Sequence, residues 1–472
     1  MGFVFYDTET TGTSTSFDQI LQFAAIRTDA DLNEVDRLEV RCRLRSHVVA
    51  HPMALRVTGM TIGRVTDPSL PTHYEMMRAV RARLIDWSPA IFVGYNSMSF
   101  DEHLLRQALF ATLHPPYLTN TDGNGRADAL SLVQVAAALA PGCVSVPIGD
   151  SGRPSYKLDR IAPANGFAHA NAHDALADVE ATLHMAKLVH DRAPECWRRF
   201  VRFSSKATVE RLLASEGAFL VTQIYHNRAY HYPVAKIAPD PDNPSAILCL
   251  HLAIDPDHLA RLTDEELAAQ LRGSPRPVRR VKVNAAPLIA RLGEAPTGLL
   301  HPHAIDTLID RGRRLRADRR LRDRIVAATI AGREPSQDVV HVEERLYSGF
   351  PPASDQRRMA RFHELGWRSR AALVETLEDA RLRHHGRLLV HEHAPEALDP
   401  GFRSEVETFV ATRLGGSPAD GSAWTCLPRA LSAAEAMIVE HGADEMLVGY
   451  RDHVLARLDE LAGSRNIPPA RS

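Results

Sequence analysis

Residues 3–12 read Phe3-Val4-Phe5-Tyr6-Asp7-Thr8-Glu9-Thr10-Thr11-Gly12, a run of β-formers that breaks into two carboxylates and then a glycine with a Ser/Thr cluster behind it. Aromatic and β-branched residues in a short apolar run predict a strand. Positions i and i+2 of a strand point to one face. Asp7 and Glu9 therefore stand side by side at the strand's end, a hard-oxygen pair suited to Mg2+ or Mn2+. Alone, Asp-x-Glu is common on solvated faces, so the decision rests on what lies downstream.

Working outward, Ile20–Ile26 predicts a second strand and Leu38–Leu44 a third, an antiparallel start. Tyr74–Asp86 has helical spacing, with Met76, Met77, Val80 and Leu84 on one face. Ile91–Tyr95 reads as a buried strand followed by a helix over Glu102–Leu113, and Asp128–Ala140 and Ala175–Val189 as further helices. Strands mixed with helices define an α/β domain. Asp101 falls just past the Ile91–Tyr95 strand, where α/β sheets gather ligands, although an Asp there also suits a helix N-cap. His173 and Asp178 lie five apart, about 140° around one helix. They share a site only if His173 lies in the loop before the helix, which Ala170-Asn171-Ala172 allows.

The composition is that of an ordinary globular protein: 472 residues, 44% apolar and 24% charged, net charge −2. A wholly basic nucleic-acid coat is excluded, but residues 270–325 carry 14 basic and 5 acidic groups, the place to seek a phosphate-binding surface. Within it, residues 311–324 hold eight arginines that cannot share one helix face. Five scattered cysteines with no C-x-x-C pairing fit a reducing cytoplasm. No run approaches a membrane span. After a boundary near Pro194, short strand-like runs at 218–225, 230–237 and 246–253 predict a small β domain. A helix over 264–271 is inserted in it, and 302–331 is helical. The segments 354–385, 403–414 and 430–462 are helical too, and 415–422 is a loop.

Taken together, Asp7-x-Glu9, Tyr95-Asn96-x(3)-Phe100-Asp101 and His173-x(4)-Asp178 resemble the three motifs of the DEDDh 3′–5′ exonuclease superfamily. The sibling group with Tyr in place of His needs it four residues before the last Asp, where this chain has Asp174. Phe23–Asp29, Val57–Thr61, the Asn171–Val179 stretch and Leu346-Tyr347-Ser348-Gly349-Phe350 extend the likeness, which is similar to the bacterial exodeoxyribonuclease I family along essentially the whole chain.

That resemblance implies a ribonuclease H-like DEDDh exonuclease domain over 1–193, an SH3-like β domain with inserted helices over 194–345 and an α-helical C-terminal domain over 346–472. It implies 3′–5′ hydrolysis of single-stranded DNA to 5′-mononucleotides, in DNA repair and recombination. Asp7, Glu9, Asp101 and Asp178 would hold two Mg2+ ions, with Mn2+ able to substitute, and His173 would be the general base. Glu9, Arg106, Tyr117, Tyr156 and Lys157 would contact substrate. The partners implied are single-stranded DNA and the acidic C-terminal tail of single-stranded DNA-binding protein, for a cytoplasmic monomer. Two features depart from the family: Lys stands at 157 where Arg can occur, and Thr119–Arg126 is a polar, Gly-rich loop where an aromatic is expected. The rival readings are a 3′–5′ exoribonuclease, whose chains are much shorter, and a nucleic-acid-binding scaffold without catalysis, which the presence of all five groups disfavours.

Overall fold

Strand β1 (Gly2–Thr10) lies at the centre of a five-stranded sheet with β2 (Ile20–Thr28), β3 (Glu34–Arg41), β4 (Ala90–Gly94) and β5 (Gly125–Asp128), in the order β3-β2-β1-β4-β5. It pairs antiparallel with β2 and parallel with β4. The structure is a computed structural model, and it describes residues 2–169, 172–295, 298–300, 302–334, 340–416 and 423–465.

The central strand is apolar on both faces because both are covered. Phe3 and Phe5 pack into one core with Val93, Val133, Val179 and Trp197. Val4 and Tyr6 pack into a second with Phe23, Met77, Val80 and Leu105. The first layer is built by the helices Ala129–Leu139, Ala175–Arg192 and Pro194–Phe203, the second by His73–Asp86 and Asp101–Ala111. Phe5 and Phe23 are fully buried, and truncating such a ring to Ala costs about 3–5 kcal/mol.

The structure departs from expectation at three places in this domain. The third strand covers 34–41, not 38–44, because Arg43 and Leu44 turn their N–H groups to Pro71 and Val65. Strand β5 forms at the end of the stretch read as a loop; Gly125 lets the backbone pass Ser204 at a distance where a Cβ would lie 3.1 Å from its carbonyl oxygen. The helix Pro194–Phe203 buries Cys196, Trp197 and Phe200 in the first core, so that core reaches beyond residue 193.

A second, antiparallel sheet holds β6 (Phe219–Tyr225), β7 (Arg228–Asp240), β8 (Asn243–His251), β9 (Val278–Lys282) and β10 (Ile289–Arg291), ordered β10-β6-β7-β8-β9. The β6–β7 hairpin turns on His226 and Asn227, both left-handed at φ 50° and 62°, as a two-residue turn of matching twist requires. The helix Asp264–Leu271 opens on a Thr263/Glu266 capping box. The helices Ile305–Ala317 and Arg319–Ala331 are separated at Asp318.

Four of the eight arginines of 311–324 donate to this domain's own backbone. Arg311 donates to the Leu252 and Ala253 carbonyls, Arg316 to Ala214 and Glu216, Arg322 to Ile237, and Arg324 to Ala260 and Leu262. Arg314 pairs with Asp255, Asp257 and Asp310. Arg313, Arg316, Arg319 and Arg320 are the exposed members, and among the described residues Arg316 alone of these donates to backbone carbonyls. Arg311→Ala is accordingly expected to cost about 1–3 kcal/mol by stranding two carbonyls. Replacing Arg313, Arg319 and Arg320 with Ala is expected to shift stability by no more than about 0.5 kcal/mol each. Urea unfolding of the two variants checks the contrast.

The last third is helical, with Ala353–Phe362, Trp367–Val374, Ala380–His393, Pro400–Gly415, Leu427–His441 and Glu445–Arg465. Residues 417–422 of the expected loop lie outside the described residues. Its cores are shared with the first domain. Leu346, Met359, Phe362 and Leu389 close on Tyr74, Phe110 and Leu113, while Leu414, Leu427 and Tyr450 close on Leu21, Val49 and Leu55. A nearly dry ion pair, Arg45–Glu392 at 3.0 Å, crosses the same interface, and another, Arg413–Glu343 at 2.5 Å, ties the helical part to the segment before it.

Candidate active site

Alternation along β1 puts Asp7 and Glu9 on one face, opposite Ala24 and Gln22 of β2. The helix Ala175–Arg192 brings Asp178 to the same point. Oxygens of Asp7, Glu9 and Asp178 all lie within 4.8 Å of one another.

Asp101 arrives from the other side. Gly94 ends β4 where a Cβ would sit 2.9 Å from the Tyr6 carbonyl oxygen, and Asn96 takes the left-handed conformation at φ 61°. The Asn96 N–H donates to Asp128 at 2.9 Å, which fixes the loop. Asp101 then occupies the first helical position, Phe100 being the N-cap. Its carboxylate, 5% exposed, accepts the Thr8 hydroxyl at 2.5 Å. It faces β1 and does not cap its own helix.

The third motif has the arrangement its spacing demanded. His173 lies before the helix, left-handed at φ 67° and exposed, and Asp174 is the N-cap. Ala170 and Asn171 lie outside the described residues. Asp174 is braced by Arg41 at 2.7 Å and Gln22 at 3.1 Å. The His173 N–H donates to Asp178 Oδ1 at 3.4 Å. A second histidine, His169, reaches the same oxygen at 2.6 Å. Sequence reasoning overlooked it, since a lone His four residues upstream carries no spacing signal.

Among the described residues no Lys or Arg forms an ion pair with Asp7, Glu9 or Asp101, so the donor set suits a divalent cation in hard-oxygen surroundings. Burial and mutual repulsion hold the carboxyls above their usual range. Asp7 is pushed well up by burial and then by Asp101, Asp178 and Glu9. Glu9 is raised to about 9 by burial and then by Asp178. Burial takes Asp101 to about 6 against the opposing Thr8 hydrogen bond.

In the metal-free protein a raised carboxyl binds a proton that the unfolded chain releases above about pH 4. The folded state then holds more protons, so stability falls as pH rises from there through the folded pKa. Glu9→Gln removes this loss. With metal removed, its melting temperature relative to wild type is expected to be higher at pH 8 than at pH 5, as calorimetry in EDTA would show.

The expected substrate contacts are placed unevenly. Tyr156 is half-buried, its carbonyl accepting the Tyr95 hydroxyl, and Lys157 is exposed beside it. Arg106 is buried, with Nε 2.8 Å from Glu102 and a terminal nitrogen 2.9 Å from Asn120. These contacts hold the Arg106 guanidinium beside Glu102 and Asn120. Tyr117 lies between Arg106, 5.1 Å away, and Phe350, 5.5 Å away. Phe350 and Tyr347 are 78% and 53% exposed, large rings that the sequence reading used only for family likeness. Next to the acids opens a cleft lined by Glu9, Gly12, Met53, Val57, Phe100 and Trp424.

A mixed sheet with Asp7, Glu9 and Asp178 converging at the end of its central strand fits a nuclease, and the family model described as Exonuclease matches residues 4–186. The likeness continues well past that domain. The chain is 30% identical over 404 residues to exodeoxyribonuclease I of Escherichia coli, covering 80% of this chain and 83% of that protein. The chain belongs to the exodeoxyribonuclease I family. The crystal structure of E. coli exonuclease I with a dA16 oligonucleotide matches 98% of this chain and 99% of that one, at 25% identity and TM-score 0.81. A structure of SSB/exonuclease I with the inhibitor CFAM matches equally far, at 25% identity and TM-score 0.79.

Proposed function

We propose that the protein hydrolyses single-stranded DNA from its 3′ end to 5′-mononucleotides, in DNA repair and recombination. The convergence of Asp7, Glu9 and Asp178 within 4.8 Å, with Asp101 beside them, carries the reading. Asp7, Glu9, Asp101 and Asp178 would hold two Mg2+ ions, with Mn2+ able to substitute. Such a pair, when bound, supplies Lewis-acid stabilisation of the attacking and leaving oxygens of an in-line displacement. Thr8 fixes the Asp101 carboxylate from within the strand. His173, exposed at the site's rim, accepts the proton of the attacking water. Arg41 and Gln22 hold Asp174, and with it the turn that presents His173.

Glu9 and the Tyr156–Lys157 pair contact the strand next to the site, and Tyr117 with Phe350 offers rings on which bases stack without sequence being read. The acidic tail of single-stranded DNA-binding protein is the proposed partner. The working unit is a monomer of three parts, a nuclease domain, a β domain and a helical domain. The divisions fall at 193/194 and 345/346, with Cys196, Trp197 and Phe200 just past the first packing against the nuclease core. Five buried, unpaired cysteines suit the cytoplasm, and among the described residues no helix is long and apolar enough to cross a membrane.

The test is a substrate panel: single-stranded DNA, RNA of the same sequence and blunt duplex DNA, each with Mg2+. The reading expects single-stranded DNA to be degraded far faster than the other two. Preference for RNA would return the chain to the exoribonuclease reading.

A further inference from the structure

Two contacts hold Asp178 from the protein side, and both fall on one oxygen. His169 Nε2 closes on Oδ1 at 2.6 Å, an ion-pair contact with the ring N–H not aimed along a hydrogen bond, and the His173 N–H donates to the same atom at 3.4 Å. Among the described residues no hydrogen bond reaches Oδ2. The His169 side chain is 1% exposed, with the Phe167 ring at 6.0 Å. A carboxylate only accepts, so this contact needs a proton on Nε2. Enclosed in this way, His169 cannot meet a DNA strand or a solvent water, in contrast to His173.

We infer that His169 is a positioning residue for the metal site. It pins Asp178 Oδ1 and so turns Oδ2 toward Asp7 and Glu9. The inference rests on the metal-site reading above. An aspartate in the first turn of a helix has other rotamers open to it. Wherever Asp7 and Glu9 ionise, a few ångströms away, their repulsion favours those that swing it out of the site. A donor buried behind it offsets that repulsion before any cation arrives. Groups that orient metal-binding side chains typically contribute 10–100-fold in affinity.

The experiment is calorimetric titration of Mn2+ alone into the full-length, metal-stripped protein, with kcat and KM on single-stranded DNA measured alongside. His169→Ala is expected to weaken Mn2+ binding about 10–100-fold and to raise the Mn2+ concentration for half-maximal turnover, with KM for DNA unchanged. His169→Gln, whose amide N–H can still reach the carboxylate, is expected to recover much of the loss. His169→Asn, a methylene shorter, is expected to behave like Ala, and it stands in for Ala if that variant does not fold. Wild-type Mn2+ affinity in His169→Ala or His169→Asn overturns the inference, even where turnover falls. Asp178→Asn separates the two levels. If it weakens Mn2+ binding while the His169 variants do not, only the positioning role fails; if it binds Mn2+ as wild type does, the metal-site reading fails as well.

Discussion

Asp7→Ala and Asp178→Ala are each expected to abolish hydrolysis, with a loss on the order of 10⁴-fold or more. Each removes a ligand from a cluster whose oxygens lie within 4.8 Å, and the charge stabilisation lost is several kcal/mol, with about 1.4 kcal/mol per tenfold in rate. The fold is expected to survive. Neither side chain belongs to the apolar core, and removing one of several mutually repelling carboxyls relieves strain in the metal-free protein. Single-stranded DNA binding is expected to persist, since the proposed stacking and phosphate contacts lie outside the cluster. Single-turnover digestion with a filter-binding measurement on the same protein checks both halves. Wild-type turnover by either variant removes the site from the mechanism.

His173→Ala is expected to lower kcat about 10²–10⁴-fold, the range for loss of a general base. Its ring is exposed and makes no side-chain contact to the acids, and only its backbone N–H reaches Asp178. The Ala variant keeps that N–H, so Mn2+ affinity is expected to stay near wild type. A stopped rate with intact metal binding distinguishes His173 from His169, whose loss is expected to show first in the metal titration. A collapse of Mn2+ affinity in His173→Ala would make His173 a ligand.

The parts of this arrangement that the sequence disclosed are those governed by local rules. The Asp7/Glu9 pair was readable because strand alternation is strict. His173 and Asp178 were readable because one geometry alone lets residues five apart on a helix start share a site. Asp101 was ambiguous by itself, and the choice between cap and ligand is made by Thr8, 93 residues away in sequence. Non-local packing hid the rest. Strands β5, β9 and β10 are three to five residues long, and β9 is arginine-rich, too short and polar for a periodic signal. The pairing of Arg106 with Glu102 and Asn120 was likewise not legible. In the run of arginines at 311–324, four of the eight guanidinium groups satisfy carbonyls of the same domain, a use the sequence did not disclose. His169 carried no signal because a lone His four residues upstream offers no spacing to read, and its contact with Asp178 is a matter of packing.

Direction of attack and dependence on metal are the central claim, and one assay reads both. A single strand labelled at its 3′ end and the same strand labelled at its 5′ end are digested with Mg2+ or in EDTA. The account predicts that the 3′ label appears at once as a mononucleotide, that the 5′ label is freed only when the strand is consumed, and that EDTA stops both. Early release of the 5′ label, or digestion that continues in EDTA, would contradict it.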